Sequence, residues 1–128
     1  MPIIRDFAIP KAASDLVFPP PATTVFFIAF LASVDPQTRR PWCPDVVAAL
    51  PTLEASFTGA KKPVAAFVDV GSRLEWKDQK NVFRVGWNVN SVPALVRFEK
   101  SSEGGIREVG RLLEGEILDE ERLGKLLS

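Results

Sequence analysis

The only sulfur nucleophile in the sequence is Cys43, set in Pro41-Trp42-Cys43-Pro44-Asp45-Val46-Val47. A polar, proline-flanked stretch over residues 34–41 precedes it. Apolar residues at Val46, Leu50, Leu53 and Phe57 follow with helical spacing. Cys43 therefore stands where a loop enters a helix. Unpaired backbone N–H groups and the helix dipole at such an end stabilise negative charge and favour the thiolate, the reactive form of the side chain. Pro44 suits the first helical turn, where its missing donor is not needed. The bland alternative is that Cys43 is a small, buried, inert hydrophobe.

The composition excludes most other chemistry. There is no histidine, which removes every Ser-His or Cys-His nucleophile pair and, with a single cysteine, the usual zinc ligand sets. One cysteine permits no internal disulfide and fits a reducing cytoplasmic setting. The 16 basic and 16 acidic residues cancel, and Arg39-Arg40 is too short for a basic stripe, so no nucleic-acid partner is expected. The longest apolar run, over residues 25–32, is far below the ~20 residues of a membrane span. Residues 1–10 lack the pattern of a secretory signal, and no membrane association is expected.

The elements that must position Cys43 follow from periodicity. Residues 3–9 read as a short edge strand, 11–16 as a short helix and 24–33 as a central strand apolar on both faces. The stretch over 34–41 reads as a loop and 45–57 as a helix that Pro51 should kink. Residues 63–70 form a second buried strand, and 77–87 a further helix. Gly104-Gly105 between the alternating segments 94–99 and 106–112 marks a hairpin. Residues 119–127 close as an amphipathic helix that carries acidic residues in its first turn. The expected product is one α/β domain over residues 1–128, with a mixed sheet of about five strands and helices on both faces.

Trp42-Cys43, with Pro51 eight residues after the cysteine, is similar to the active-site helix of thioredoxins. Val92-Pro93, just before a strand, resembles the cis-proline loop that faces that site. More narrowly, Trp42-Cys43-Pro44-Asp45, the long preceding loop, and Trp76-Lys77-Asp78 followed by Asn81, Phe83 and Arg84 resemble the thioredoxin domain-containing protein 17 family, whose site reads Trp-Cys-Pro-Asp-Cys. The resemblance covers about residues 24–98. It implies a thioredoxin fold, Cys43 as the catalytic thiol, and a substrate surface made by Trp42, Pro44, Asp45, Val92 and Pro93. It also implies reduction of protein and small-molecule disulfides, with electrons from thioredoxin reductase.

One position breaks the pattern. The resolving cysteine of the family falls at Val46, and the chain has no other thiol. In the dithiol mechanism the second thiol releases the mixed disulfide formed by the first. With valine there, what remains is one-thiol chemistry: a mixed disulfide at Cys43 with a protein thiol or with glutathione, resolved from outside. No resident cofactor is expected; glutathione enters only as an external thiol. The chain is expected to be a monomer, or a Cys43-linked dimer on oxidation. Two other readings stay open: a redox-inactive module holding an extended peptide in the cis-proline groove, and a metal–sulfur cluster shared by two chains.

Among the remaining residues, Asp45 serves either the helix dipole or the thiol. Arg39 and Arg40 are either solvated or anion-binding. Trp76 lines the groove or packs in the core, and Trp87 is expected in the core. Lys77-Asp78 is a candidate ion pair, and Asp69 a strand acid of undetermined facing.

Overall fold

The computed structural model describes residues 3–128. A five-stranded sheet runs in the order β1-β5-β2-β6-β7, with β1 Ile3–Ile4, β2 Val25–Leu31, β5 Ala65–Asp69, β6 Ala94–Lys100 and β7 Ile106–Leu113. β5 runs parallel to β1 and β2, and β6 and β7 are antiparallel to their neighbours. The helices are α1 Pro44–Phe57, α2 Arg73–Lys77, α3 Val82–Trp87, α4 Glu114–Ile117 and α5 Glu120–Leu127. This is the thioredoxin fold, with the mixed sheet expected from the sequence.

β2 is central because almost every side chain in it is apolar; residues 26–31 are buried on both faces. Phe27 points to α1, where Phe57 lies 5.2 Å away between ring centroids. Phe26 and Phe30 point the other way, to Phe7 and Phe18 and to Phe83 and Trp87 of α3. Helices therefore cover both faces, and each face contributes aromatic packing that fixes the strand register. Trp87 is buried and its Nε1–H donates to the Pro10 carbonyl. Gly86 is required beside it, since an added Cβ would stand 1.7 Å from the Lys11 carbonyl oxygen.

Several local expectations change. The edge strand is limited to Ile3–Ile4, and the short helix after it is a single 3-10 turn, Ala13–Asp15. The stretch over 34–41 is a small hairpin: β3 Val34–Asp35 pairs antiparallel with β4 Arg40–Pro41. α1 runs from Pro44 to Phe57 with Pro51 inside it. Of the helix expected over 77–87 only Val82–Trp87 forms, and a separate helix, α2, ends at Lys77. Asp78 accepts from the Lys80 N–H, while Asn81 caps α3 through Phe83 N–H and donates its amide to the Val70 and Glu75 carbonyls. Those side-chain bonds offer the backbone an alternative to a continuous helix. α4 was not foreseen; its first turn forms because Glu116 accepts from the Leu113 N–H. No ion pair joins Lys77 and Asp78 among the described residues; each is exposed.

Candidate functional site

Cys43 is the N-cap of α1, with extended backbone at φ −101° and ψ 120°. Its carbonyl accepts from the Val46 and Val47 N–H groups, which opens the helix. Pro44 occupies the first turn, and Pro44 and Asp45 are exposed. The sulfur is partly buried and turned across the site: Sγ lies 3.7 Å from the Val92 carbonyl oxygen, as its hydrogen-bond donor. The Val92–Pro93 peptide is cis, and both residues are buried. Cys43 and the Val92-Pro93 loop, 49 residues apart in sequence, thus face one another.

Trp42 is held from three sides. Its backbone N–H donates to the Ser33 carbonyl, and its Nε1–H to the Gly71 carbonyl at 2.9 Å. Its own carbonyl accepts from Arg73 Nη2 at 2.9 Å, and the Arg73 guanidinium lies 5.2 Å from its ring centroid. Ser33 and Gly71 are themselves paired: Ser33 N–H donates to the Gly71 carbonyl, and Gly71 N–H to Ser33 Oγ. The ends of β2 and β5 therefore fix the indole that precedes the thiol. Gly71 sits at φ +106°, where a side chain is strained, and an added Cβ would approach Glu75 at 3.0 Å. Arg73, Ser33 and Gly71 were not singled out from the sequence. The signal that points to Arg73 is Ser72-x-x-Glu75, a capping box that starts a helix directly after β5.

Val46 is fully buried on α1. With Leu31, Leu50, Phe67, Asp69 and Arg5 it lines a recess of about 220 Å³. Desolvation pushes the Asp69 carboxyl above its ordinary range. Asp45 lies against Glu114 of α4. Hydrogen bonding to Asp45, then the Asp45 charge, raise the Glu114 carboxyl.

The other expected residues take different places. Trp76 is buried and does not line the groove: Arg84 stacks 3.9 Å from its ring centroid and donates Nε–H to its carbonyl. Arg39 is exposed on the β3–β4 turn with φ 60°, and Arg40 is exposed at the start of β4. The Trp76, Asn81, Phe83 and Arg84 set is thus structural. It locks the chain between β5 and the cis-proline loop, whose other end Arg111 ties down by donating to the Asn88 and Trp87 carbonyls.

The architecture and the placement of a cysteine at the head of α1 opposite a cis proline define a thioredoxin-type protein. A solved thioredoxin of Plasmodium falciparum superposes with a TM-score of 0.56 over 80% of this chain and 71% of its own, at 13% identity, a likeness of fold alone. The family model for the thioredoxin domain of thioredoxin domain-containing protein 17-like proteins matches residues 21–125, and the chain belongs to that family. It is 38% identical to a thioredoxin domain-containing protein of Schizosaccharomyces pombe over 79% of this chain and 81% of that one. The thioredoxin-like protein Clot of Arabidopsis thaliana is 39% identical over 62% and 61%, and human thioredoxin domain-containing protein 17 is 33% identical over 56% and 58%. Against those last two relatives the chain spans about three fifths of their length. Among the described residues no helix is long and apolar enough to cross a membrane.

Proposed function

We propose that this protein carries out thiol–disulfide exchange through Cys43 alone, in the cytoplasm, with protein and low-molecular-weight disulfides as partners. The observation that carries the reading is the partly buried Cys43 sulfur held 3.7 Å from the Val92 carbonyl, opposite the cis proline. The Cys43 thiolate attacks one sulfur of a disulfide; that S–S bond breaks, a Cys43 mixed disulfide forms, and the other half leaves as a thiolate. Val46 has no sulfur to continue the sequence. An external thiol such as glutathione then attacks the partner sulfur and expels Cys43 as thiolate. Electrons come from that external thiol, and the chain needs no resident cofactor. When no partner is present, an external oxidant such as a peroxide, itself reduced to water, joins two chains through a Cys43–Cys43 disulfide.

Trp42, Pro44 and Asp45 form the accessible part of the surface on which the partner lies; Val92 and Pro93, expected there too, are buried and meet it through the Cys43 sulfur. The same surface supports a second reading, a peptide-binding module without redox turnover, favoured by the complete burial of an aliphatic side chain where the resolving thiol would stand.

Intact mass after incubation with oxidised glutathione, followed by an insulin-reduction assay, separates these readings. Exchange through one thiol gives stoichiometric glutathionylation that Cys43→Ser abolishes, with negligible insulin turnover. An unmodified mass after prolonged incubation rejects it. Unchanged partner affinity in Cys43→Ser then supports the binding module.

A further inference from the structure

We infer that the recess beside Trp42 is a carboxylate-binding subsite that selects acidic low-molecular-weight disulfides for Cys43; the inference rests on the exchange reading above and names its substrate class. The recess measures about 340 Å³ and is lined by Arg40, Arg73, Trp42, Pro44, Pro41 and Asp35 among others. That volume is at the lower end of small-ligand clefts, about 300–1,000 Å³. Trp42 and Pro44 are the two chain neighbours of Cys43; Cys43 itself does not line the recess, and its Sγ is turned to the Val92 carbonyl, so a bound molecule reaches the thiol past Pro44.

The charge in the recess is unbalanced. Arg40 and Arg73 are exposed cations that form no ion pair among the described residues. Asp35 is the one carboxylate lining it, and Asp35 Oδ1 is already engaged by the Gln37 N–H. Arg73 is also fixed in place: one Nη2–H bond to the Trp42 carbonyl and the stacked indole hold its planar fork, leaving its other N–H groups for an anion. A preset guanidinium loses less side-chain freedom on binding than a free one. Arg40 is brought to the same recess by the β3–β4 hairpin, whose register sets Arg40 opposite Asp35. An acidic thiol compound bound through a carboxylate at this pair, with its disulfide over Pro44 and toward Cys43, satisfies both cations.

The exchange step is the one written above: the Cys43 thiolate displaces one half of the bound disulfide, which leaves as a thiolate, and no further oxidant or reductant is consumed.

The test measures rates of mixed-disulfide formation by intact mass for oxidised glutathione, neutral 2-hydroxyethyl disulfide and cationic cystamine, in the native protein, Arg40→Gln and Arg73→Gln. Comparing the ratio of rates between proteins cancels the intrinsic reactivity of each probe. Each substitution should lower the glutathione-to-cystamine ratio roughly two- to fivefold, as expected for partly exposed ion pairs. Raised salt should compress the ratio in the native protein more than in the variants. Ratios unchanged in both variants overturn the subsite and leave single-thiol exchange standing. The converse is read in Cys43→Ser, where no exchange occurs. Titration with S-methylglutathione should move the Trp42 indole N–H resonance, and the added Arg40→Gln should weaken that binding. Binding there, with no glutathionylation of the native protein, upholds the subsite and rejects the exchange. No resonance shift and no change of ratio reject the subsite.

Discussion

The sulfur of Cys43 donates to the carbonyl of Val92 at 3.7 Å, and the next side chain of α1 turned into the core, Val46, is completely buried. On the proposed reading, the thiol that opens exchange is set against the cis-proline loop, and hydrocarbon occupies position 46. Val46→Cys places a thiol one helical turn from Cys43, at the separation of the family's Trp-Cys-Pro-Asp-Cys pattern. Insulin reduction driven by dithiothreitol should appear in Val46→Cys and be absent from the native protein and from Val46→Cys with Cys43→Ser. The loss of buried methyl volume should cost about 1 kcal/mol of stability. A Val46→Cys protein that folds and stays inert would mean that the surrounding groups, and not the missing thiol alone, have abandoned turnover.

Gly71 holds the position of Trp42, so its replacement should be felt at the site. In Gly71→Ala the methyl group meets Glu75 at 3.0 Å and the φ of +106° is strained. The cost should be about 1–3 kcal/mol, seen as a lower unfolding midpoint. Because Gly71 also accepts the Trp42 indole N–H, the Trp42 indole resonance should move while that of Trp87, bonded to Pro10, stays in place. Equal shifts at both indoles would point to a general loosening instead.

The parts of the fold legible in the sequence are those where one physical signal dominates. β2 and β5 are apolar on both faces and could only be buried strands. The hairpin between β6 and β7 was marked by Gly104-Gly105, and Gly104 adopts φ +93° there. The capping residue Asp119 accepts from the Glu121 and Arg122 N–H groups, as the acidic start of the last helix indicated. The parts that were not legible depend on side chains bonding to distant backbone. Asn81 delays the start of the helix expected over 77–87 to Val82 and bonds the carbonyls of Val70 and Glu75, a partnership that no local period carries. The β3–β4 hairpin is two residues per strand with polar turn residues, too short to alternate visibly. At the site, the sequence supplied Cys43, Trp42 and Val92-Pro93, but not Arg73, whose role arises only when α2 returns to Trp42.

Arg111 offers a test of what keeps the cis-proline loop in place. It bonds the carbonyls of Asn88 and Trp87 while Glu108 neutralises it from the other side at 2.7 Å. Arg111→Ala removes charge-assisted bonds worth about 1.5–3 kcal/mol in full, less here because the pair is partly exposed. Hydrogen exchange should quicken over residues 88–92 and leave the β2 and β5 amides protected. Cys43 should then glutathionylate at an altered rate, since the acceptor of its hydrogen bond moves with the loop. Uniform acceleration across the sheet would show that Arg111 acts on global stability.

Asp45 and Glu114 give the molecule a pH response close to the thiol. The Glu114 carboxyl is raised from its ordinary value of 4.5 by the Asp45 side-chain hydrogen bond and then by the Asp45 charge. A carboxyl raised in the folded state stabilises the fold below its unfolded value, and that contribution is lost as pH climbs through the folded value. Above that window the Glu114 charge is set against the Asp45 charge across the α1–α4 contact. Glu114→Gln should therefore unfold at a slightly higher temperature than the native protein at neutral pH, with the difference shrinking to nothing as the pH drops below 4.5. Both carboxyls are exposed, so added salt should also erase the gain at neutral pH. A difference that persists in acid would assign the effect to packing of the amide and not to the charge it replaces. Asp45→Asn removes the other charge of the pair but also the first-turn carboxylate that the α1 dipole favours, so its gain should be smaller than that of Glu114→Gln.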